Sequence, residues 1–137
     1  MHFTRLALAA VQKVFDAMRT RDTILLHSAF DSSARLVGVS TRGTPAVTLN
    51  TVSQFAAGIA RAPEGDVWHE RMYEPDVRID GPIAQVWGYY TFHRNAIFSH
   101  CGVDAFMLLH VGTEWKITQL SDSRRTADCT HTAAVSK

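Results

Sequence analysis

The apolar residues in the first third of the chain recur at helical spacing in three stretches. One stripe begins at Thr4 and continues to about Arg21, and a shorter one follows Asp22, whose side chain suits a helix N-cap. A third stripe covers residues 51–61, with Thr48 or Asn50 as its cap. The first third of the chain is therefore predicted to be mostly helical.

Beyond residue 66 the apolar spacing changes from helical to alternating, and turn sequences interrupt it. These turns are centred on Gly81, on Asn95-Ala96 and on Gly112. Long alternating segments joined by tight turns are typical of an antiparallel meander. One earlier strand is predicted before a turn that contains Arg42. The five predicted strands cover residues 34–40, 67–78, 84–93, 99–109 and 115–124.

The order of these elements predicts an α+β fold in a single domain, residues 1–125. The apolar stripes of the three helices can be buried together only if the helices pack on the same face of the sheet. From residue 126 to residue 137 the chain is small and polar, and this segment is predicted to be a flexible tail.

The central hairpin can be registered from its turn. If Asn95-Ala96 is a two-residue turn and pairing is regular, Trp87 lies opposite Asp104. Residues directly opposite each other on paired strands lie on the same face of a sheet, and so does every second residue along each strand. That predicted face carries Gln85, Trp87, Tyr89, Thr91, His100, Gly102, Asp104 and Phe106.

Composition and charge narrow the classes of partner. The formal net charge is +1 and the basic residues are scattered, so neither nucleic acid nor an anionic membrane is expected. No apolar run reaches the ~18 residues of a membrane span. Cys101 and Cys129 do not form a CxxC pair, which favours reduced thiols and a cytoplasmic protein. Histidine spacing and the absence of nucleotide motifs predict neither a metal nor a cofactor.

Several segments of the meander resemble the nuclear transport factor 2-like superfamily, and within it the SnoaL-like and lumazine-binding proteins. The resemblance covers residues 4–125 and implies a cone-shaped fold with a strongly curved mixed or antiparallel sheet. It also implies that about three helices close the concave face and that two copies form a homodimer through their sheets. The segments that carry it are residues 77–84, 86–87, 99–106, 115–117 and 122–125.

The ketosteroid isomerases of that superfamily have an acidic residue two positions before a phenylalanine, which Asp104 and Phe106 resemble. There the acid points into the pocket, so the resemblance implies that the face of Asp104 lines a cavity. A carboxyl group among apolar residues has a raised pKa, which suits an acid or base and makes Asp104 the candidate catalytic residue. The alternative is a buried aspartate with a structural partner. The candidate ligand-binding residues are Trp87, Tyr89, His100, Asp104, Phe106 and Asp122.

Two parts of the isomerase machinery have no counterpart in this chain. Residues 36–40 offer no acid for the catalytic base, and residues 12–15 offer no tyrosine for the oxyanion. The leading hypothesis is therefore a binding domain for a planar or polycyclic small molecule. An isomerase-like or SnoaL-like enzyme that uses Asp104, and a dimeric interaction module with a vestigial cavity, are the alternatives.

Overall fold

The computed structural model describes residues 2–40 and 43–136, which form three helices and a six-stranded sheet. The predicted α+β class is confirmed, and Arg42 of the predicted turn lies outside the described residues. The elements are α1 His2–Thr20, α2 Thr23–Ala29, β1 Phe30–Val39, β2 Val47–Thr51, α3 Val52–Arg61, β3 Trp68–Asp80, β4 Ile83–Arg94, β5 Ile97–Val111 and β6 Glu114–Asp122.

Side chains at the helix starts explain where α2 and α3 begin. Asp22 accepts a hydrogen bond from the Leu25 backbone N–H at 2.9 Å, as the sequence predicted for an N-cap. At α3, Thr51 and Gln54 exchange side-chain and backbone hydrogen bonds in a capping box. The predicted caps Thr48 and Asn50 are wrong, because both residues belong to β2. The sequence analysis missed β2 because all five of its residues are exposed. A strand without a buried face need not alternate apolar and polar residues.

The sheet is mixed and open, with strand order β2-β1-β6-β5-β4-β3. Only β1 and β6 pair in parallel, and every other neighbouring pair is antiparallel. All three helices pack on one face, here called the inner face, as the sequence predicted. Apolar side chains of the helices and sheet form one core there, and its fully buried members include Leu26, Ile59, Val86, Phe106, Leu108 and Ile117.

The predicted register of the central hairpin is correct at the turn and wrong beyond it. Asn95 and Ala96 both have positive φ, as a two-residue hairpin turn requires, and Arg94 lies opposite Ile97. A β-bulge then follows, since β5 has one additional residue between Phe98 and His100. Every later pair is displaced by one position.

This displacement moves two candidate site residues to the other face of the sheet. Trp87 lies opposite Ala105 rather than Asp104, and Tyr89 lies opposite Val103. Both therefore lie on the outer face, away from the helices, where Trp87 is 53% exposed. The inner positions beside Asp104 belong to other residues of β4, namely Gly88, Tyr90 and Phe92.

Cys101 and Cys129 form a disulfide, so the prediction of two reduced thiols is wrong. The sequence separates them by 28 residues and gives no spacing motif. They meet because Cys101 faces outward from β5 and the chain after β6 returns across that face. The predicted cytoplasmic location stays a prediction, without the support that reduced thiols would have given it.

Residues 126–136, here called the C-terminal strap, lie across the outer face of β4 and its neighbours. The Tyr89 hydroxyl donates to the Thr130 carbonyl at 2.8 Å, and His93 Nε2 lies 2.8 Å from the Ala133 carbonyl. The His131 ring stacks on Tyr73 at 4.0 Å. The predicted flexibility of this segment stays a prediction, but its contacts explain why outward-facing His93 is almost fully buried.

Apolar side chains remain exposed on the outer face beyond the strap, including Ile83, Trp87 and Leu109. The homodimer that the resemblance implies would cover such residues, and it stays a prediction. In the described part of the chain, no helix combines the length and the apolar character that crossing a membrane requires.

Candidate functional site

A cavity of about 530 Å³ lies between the helices and the inner face of the sheet. One part of its wall is apolar and largely aromatic, and the other part is polar. Helices α1 and α3 and strands β1, β3, β4 and β6 contribute to the apolar part, whose main members are Met18, Leu36, Phe55, Trp68, Phe92 and Leu120. The polar part includes Glu70, Tyr90, His100, Asp122 and Arg124.

Glu70 and Asp104 form a pair of carboxyl groups within hydrogen-bonding reach of each other. Glu70 is half-buried on β3 and faces the cavity, whereas Asp104 is 1% exposed on β5 and is not part of the cavity wall. Asp104 Oδ2 is buried and has no hydrogen-bond partner among the described residues. A hydrogen bond between two carboxyl groups needs one proton, so the pair is satisfied when one of its members is protonated.

Burial and mutual repulsion disfavour ionisation of this pair. Burial raises the pKa of Asp104 well above its usual range, and the charge of Glu70 raises it further. Burial also raises the pKa of Glu70 to about 7, although the hydrogen bond to Asp104 opposes the shift. Burial therefore favours the protonated form of Asp104, and Glu70, which faces the cavity, has a pKa of about 7.

His100 contributes a neutral ring to the cavity wall. Burial, followed by the nearby charge of Arg124, lowers the pKa of His100 to about 4. Its Nδ1 lies 3.0 Å from the Ser99 hydroxyl, and its ring stacks on Phe92 at 4.9 Å. A neutral imidazole in this position can offer one hydrogen-bond donor or acceptor without carrying charge.

Asp122 and Arg124 both line the cavity, but they do not form an ion pair with each other. Among the described residues, no carboxylate oxygen lies within 4 Å of the Arg124 side-chain nitrogens. Asp122 instead lies against Gly38, where an added Cβ would be 3.0 Å from Asp122 Oδ1. Part of Asp122 remains exposed, yet the surrounding protein displaces enough water to raise the pKa of its carboxyl, an effect that Arg124 opposes.

Gly102 explains how the chain reaches Arg124. A Cβ on Gly102 would collide with the Ser123 carbonyl oxygen, so only glycine lets the end of β6 approach β5 this closely. The Tyr90 hydroxyl donates to that same carbonyl at 2.6 Å. The backbone that carries Arg124 is thereby fixed beside the cavity.

The structure separates the six predicted site residues into three groups. His100 and Asp122 line the cavity, and Asp104 contacts the cavity-facing Glu70. Phe106 is fully buried in the core, where its ring meets Phe15 edge-on. Trp87 and Tyr89 lie on the outer face, for the reason given above. Ligand binding by these residues stays a prediction.

Sequence reasoning missed Glu70, Trp68 and Phe92. In β3, polar residues occur on both faces, because His69 and Arg71 flank Glu70. The alternation that marks an inner face in other strands is therefore absent. The only signal for Glu70 was a carboxylate within a strand, and it becomes distinctive only when Asp104 is known to be its neighbour.

We find no candidate metal site among the described residues. Within residues 2–40 and 43–136, no group of three or more histidine, cysteine, aspartate or glutamate side chains is placed to hold a metal ion. The carboxyl groups at the cavity can form hydrogen bonds, carry charge and transfer protons.

Comparison with solved structures identifies the fold. No protein-family model matches the sequence, and no curated protein matches it. Solved structures are similar over most of the chain. An NTF2-like protein of unknown function from Shewanella baltica is 17% identical, with 90% of this chain and 94% of that chain covered and a TM-score of 0.68.

Two further solved structures give the same result. An NTF2-like protein of unknown function from Silicibacter pomeroyi is 20% identical over 90% of this chain and 97% of that chain, with a TM-score of 0.68. A protein of unknown function with a cystatin-like fold from Nostoc punctiforme is 9% identical over 89% and 90%, with a TM-score of 0.71. At such low identity the likeness concerns the fold alone. This chain therefore has the cystatin-like α+β fold of the NTF2-like proteins.

Proposed function

We propose that the cavity binds a small molecule with a planar or polycyclic apolar body. The observation that carries this proposal is the placement of Glu70, a carboxyl with a pKa of about 7, beside the aromatic side chains of Trp68 and Phe92 in one cavity. A volume of about 530 Å³ lies within the range of ligand pockets. Apolar walls with a few convergent polar groups are typical of such pockets.

The aromatic wall supplies the surface for a planar ligand. The rings of Trp68 and Phe92 meet edge-on at 6.2 Å, so each is held by the other. Phe55 of α3 adds a further aromatic side chain to the wall. A collapsed interior, as expected of an interaction module with a vestigial cavity, is difficult to reconcile with this volume.

Replacing Trp68 should weaken binding of an aromatic probe, whereas replacing Trp87 should not. We expect Trp68→Leu to reduce the affinity for N-phenyl-1-naphthylamine by about tenfold, since an aromatic contact contributes up to about 1.5 kcal/mol. Trp87→Leu is the matched control, because it removes the same side chain from the outer face. Fluorescence titration of the probe measures both affinities. Equal affinities for wild type and Trp68→Leu would remove the basis for this proposal.

Acid–base catalysis is a second candidate function, favoured by the Glu70–Asp104 pair. A base is most effective when its pKa lies near the working pH, and Glu70 has a pKa of about 7. Here Glu70 takes the role that the sequence predicted for Asp104, because Glu70 faces the cavity. Asp104 would act as a positioning residue that holds the shared proton.

Proton abstraction by Glu70 can be tested without knowing the substrate. In D₂O, the Glu70 carboxylate would remove a proton from the carbon next to the carbonyl of 2-tetralone and a deuteron would replace it. We expect exchange followed by NMR to accelerate as pH rises through about 7 and to be about a hundredfold slower in Glu70→Gln. Glu64→Gln, in an exposed loop, serves as control. Equal exchange in wild type and Glu70→Gln would exclude this candidate.

A further inference from the structure

We propose that the ligand carries an oxyanion, such as a carboxylate, which pairs with Arg124 while its apolar body lies against the aromatic wall. This inference rests on the proposed binding function and specifies the chemical class of the ligand. Its basis is the arrangement of charges in the cavity wall. Arg94 forms an ion pair with a carboxylate of the protein, whereas Arg124 forms none with any described residue.

The two arginines in the wall differ in their partners. Arg94 contacts Asp66 through two nitrogens, at 2.8 Å from Nε and at 2.7 Å from a terminal nitrogen. Asn95 donates to the same carboxylate at 2.9 Å. Arg94 is thus neutralised by the protein itself. Arg124 has no ion pair or hydrogen bond to another described residue, so its five donors are open to a ligand.

Arg124 is held in place by its backbone neighbours on both sides. The preceding residue, Ser123, accepts the hydrogen bond from Tyr90 at 2.6 Å. The following residue, Arg125, exchanges two backbone hydrogen bonds with Cys101, at 2.8 and 2.9 Å. A fixed backbone leaves only side-chain freedom to be lost on binding, which reduces the entropic cost of recognition.

The acidic groups near Arg124 do not satisfy it. The charge of Arg124 lowers the pKa of Glu70 and of Asp122, which places both carboxyls within its electrostatic reach. Neither is close enough to form an ion pair, and Asp122 lies on the side of Gly38 and Thr48. A guanidinium that contacts no carboxylate can donate two hydrogen bonds to one oxyanion without first breaking an existing ion pair.

His100 provides a second group that suits an oxyanion. The Ser99 hydroxyl lies beside Nδ1, and if it donates there, Nε2 carries the proton of the neutral ring. The His100 ring also stacks on Phe92, which joins the polar part of the wall to the aromatic part. An aromatic acid would place its ring system and its acidic group on these two parts.

Two dyes that share one aromatic body test this inference. N-phenyl-1-naphthylamine is neutral, and 8-anilinonaphthalene-1-sulfonate carries an added sulfonate. We expect wild type to bind the sulfonate about tenfold more tightly, an increase of the size expected for one charge-assisted hydrogen bond. Arg124→Gln should remove that preference, because it should weaken binding of the sulfonate about tenfold more than binding of the neutral dye. Fluorescence titration at low salt measures both.

Two variants serve as controls for charge and location. Arg61→Gln removes one positive charge from an exposed position at the end of α3, and we expect it to retain the preference. Asn50→Trp places an indole in the cavity wall and should weaken the binding of both dyes. That loss of affinity would show that the dyes bind in the cavity.

The outcomes separate this inference from the proposed function. Suppose that the neutral dye binds in a way that depends on Trp68, and that wild type does not prefer the sulfonate. That result would overturn the inference of an oxyanion on the ligand and would retain the cavity as a binding site. A preference that survives in Arg124→Gln would also overturn it. Failure of wild type to bind either dye would overturn both proposals.

Discussion

Replacing Cys129 by serine is expected to lower the free energy of unfolding by about 3.6 kcal/mol. The disulfide closes a loop with a sequence separation of 28 residues, and the chain-entropy model gives a stabilisation of this size for such a loop. The loop contains the second half of β5, all of β6 and the backbone of Arg124. Urea denaturation under oxidising conditions, followed by tryptophan fluorescence, measures the difference between wild type and variant.

Reduction provides the matched control for this substitution. Dithiothreitol should lower the stability of wild type to that of Cys129→Ser and should leave the variant unchanged. Hydrogen exchange should rise in the C-terminal strap in both cases, because only non-covalent contacts, such as those of Tyr89 and His93, then hold it. Denaturation midpoints of wild type that do not respond to dithiothreitol would show that the disulfide does not stabilise the fold.

The Glu70–Asp104 pair should make the protein less stable as pH rises, and Asp104→Asn should remove most of that dependence. The pKa values of both carboxyls are raised in the folded protein, with Glu70 at about 7. The folded state therefore binds protons more tightly than the unfolded chain, whose carboxyls titrate near 4. The free energy of unfolding accordingly falls between about pH 4 and the raised pKa values.

Glu70 alone should lower the free energy of unfolding by about 3 kcal/mol between pH 5 and pH 8, since a group with a raised pKa contributes up to about 1.4 kcal/mol per pH unit below that pKa, and Asp104 should add to the decrease. In Asp104→Asn an amide replaces the buried acid and can donate to Glu70 without a shared proton, so the decrease should be smaller. Asp80→Asn, at the exposed end of β3, should retain the wild-type dependence. Urea denaturation across this pH range measures all three proteins. Identical pH dependences in wild type and Asp104→Asn would contradict the shared-proton arrangement.

The strap changes the role of one residue that the sequence assigned to the ligand. Tyr89 both donates to the Thr130 carbonyl and accepts from the Thr130 backbone N–H, at 2.8 and 2.7 Å. Its hydroxyl is thus fully used by the C-terminal strap on the outer face. The aromatic surface of the cavity comes instead from Trp68 and Phe92, one residue from each of two paired strands.

Much of the fold could be predicted from local patterns. Helical spacing identified three helices, and the N-cap at Asp22 was correct because capping depends on residues close in sequence. The turn at Asn95-Ala96 was also correct, since its geometry is local. Strand β2 was missed because its exposed residues have no burial pattern. The prediction placed Trp87 and Tyr89 on the same face as Asp104, which is wrong. The bulge in β5 that reverses this assignment cannot be detected from the alternation of apolar and polar residues in either strand.

The sequence by itself determined the α+β class, the helices on one face and the presence of a carboxylate at Asp104 among apolar neighbours. These follow from periodicity and composition, which act over a few residues. The tertiary structure alone decided that Glu70 lies near the buried Asp104, that Arg124 has no ion-pair partner among the described residues beside a cavity, and that Cys101 meets Cys129. Each depends on the register between strands distant in sequence, where one additional residue moves a side chain to the opposite face.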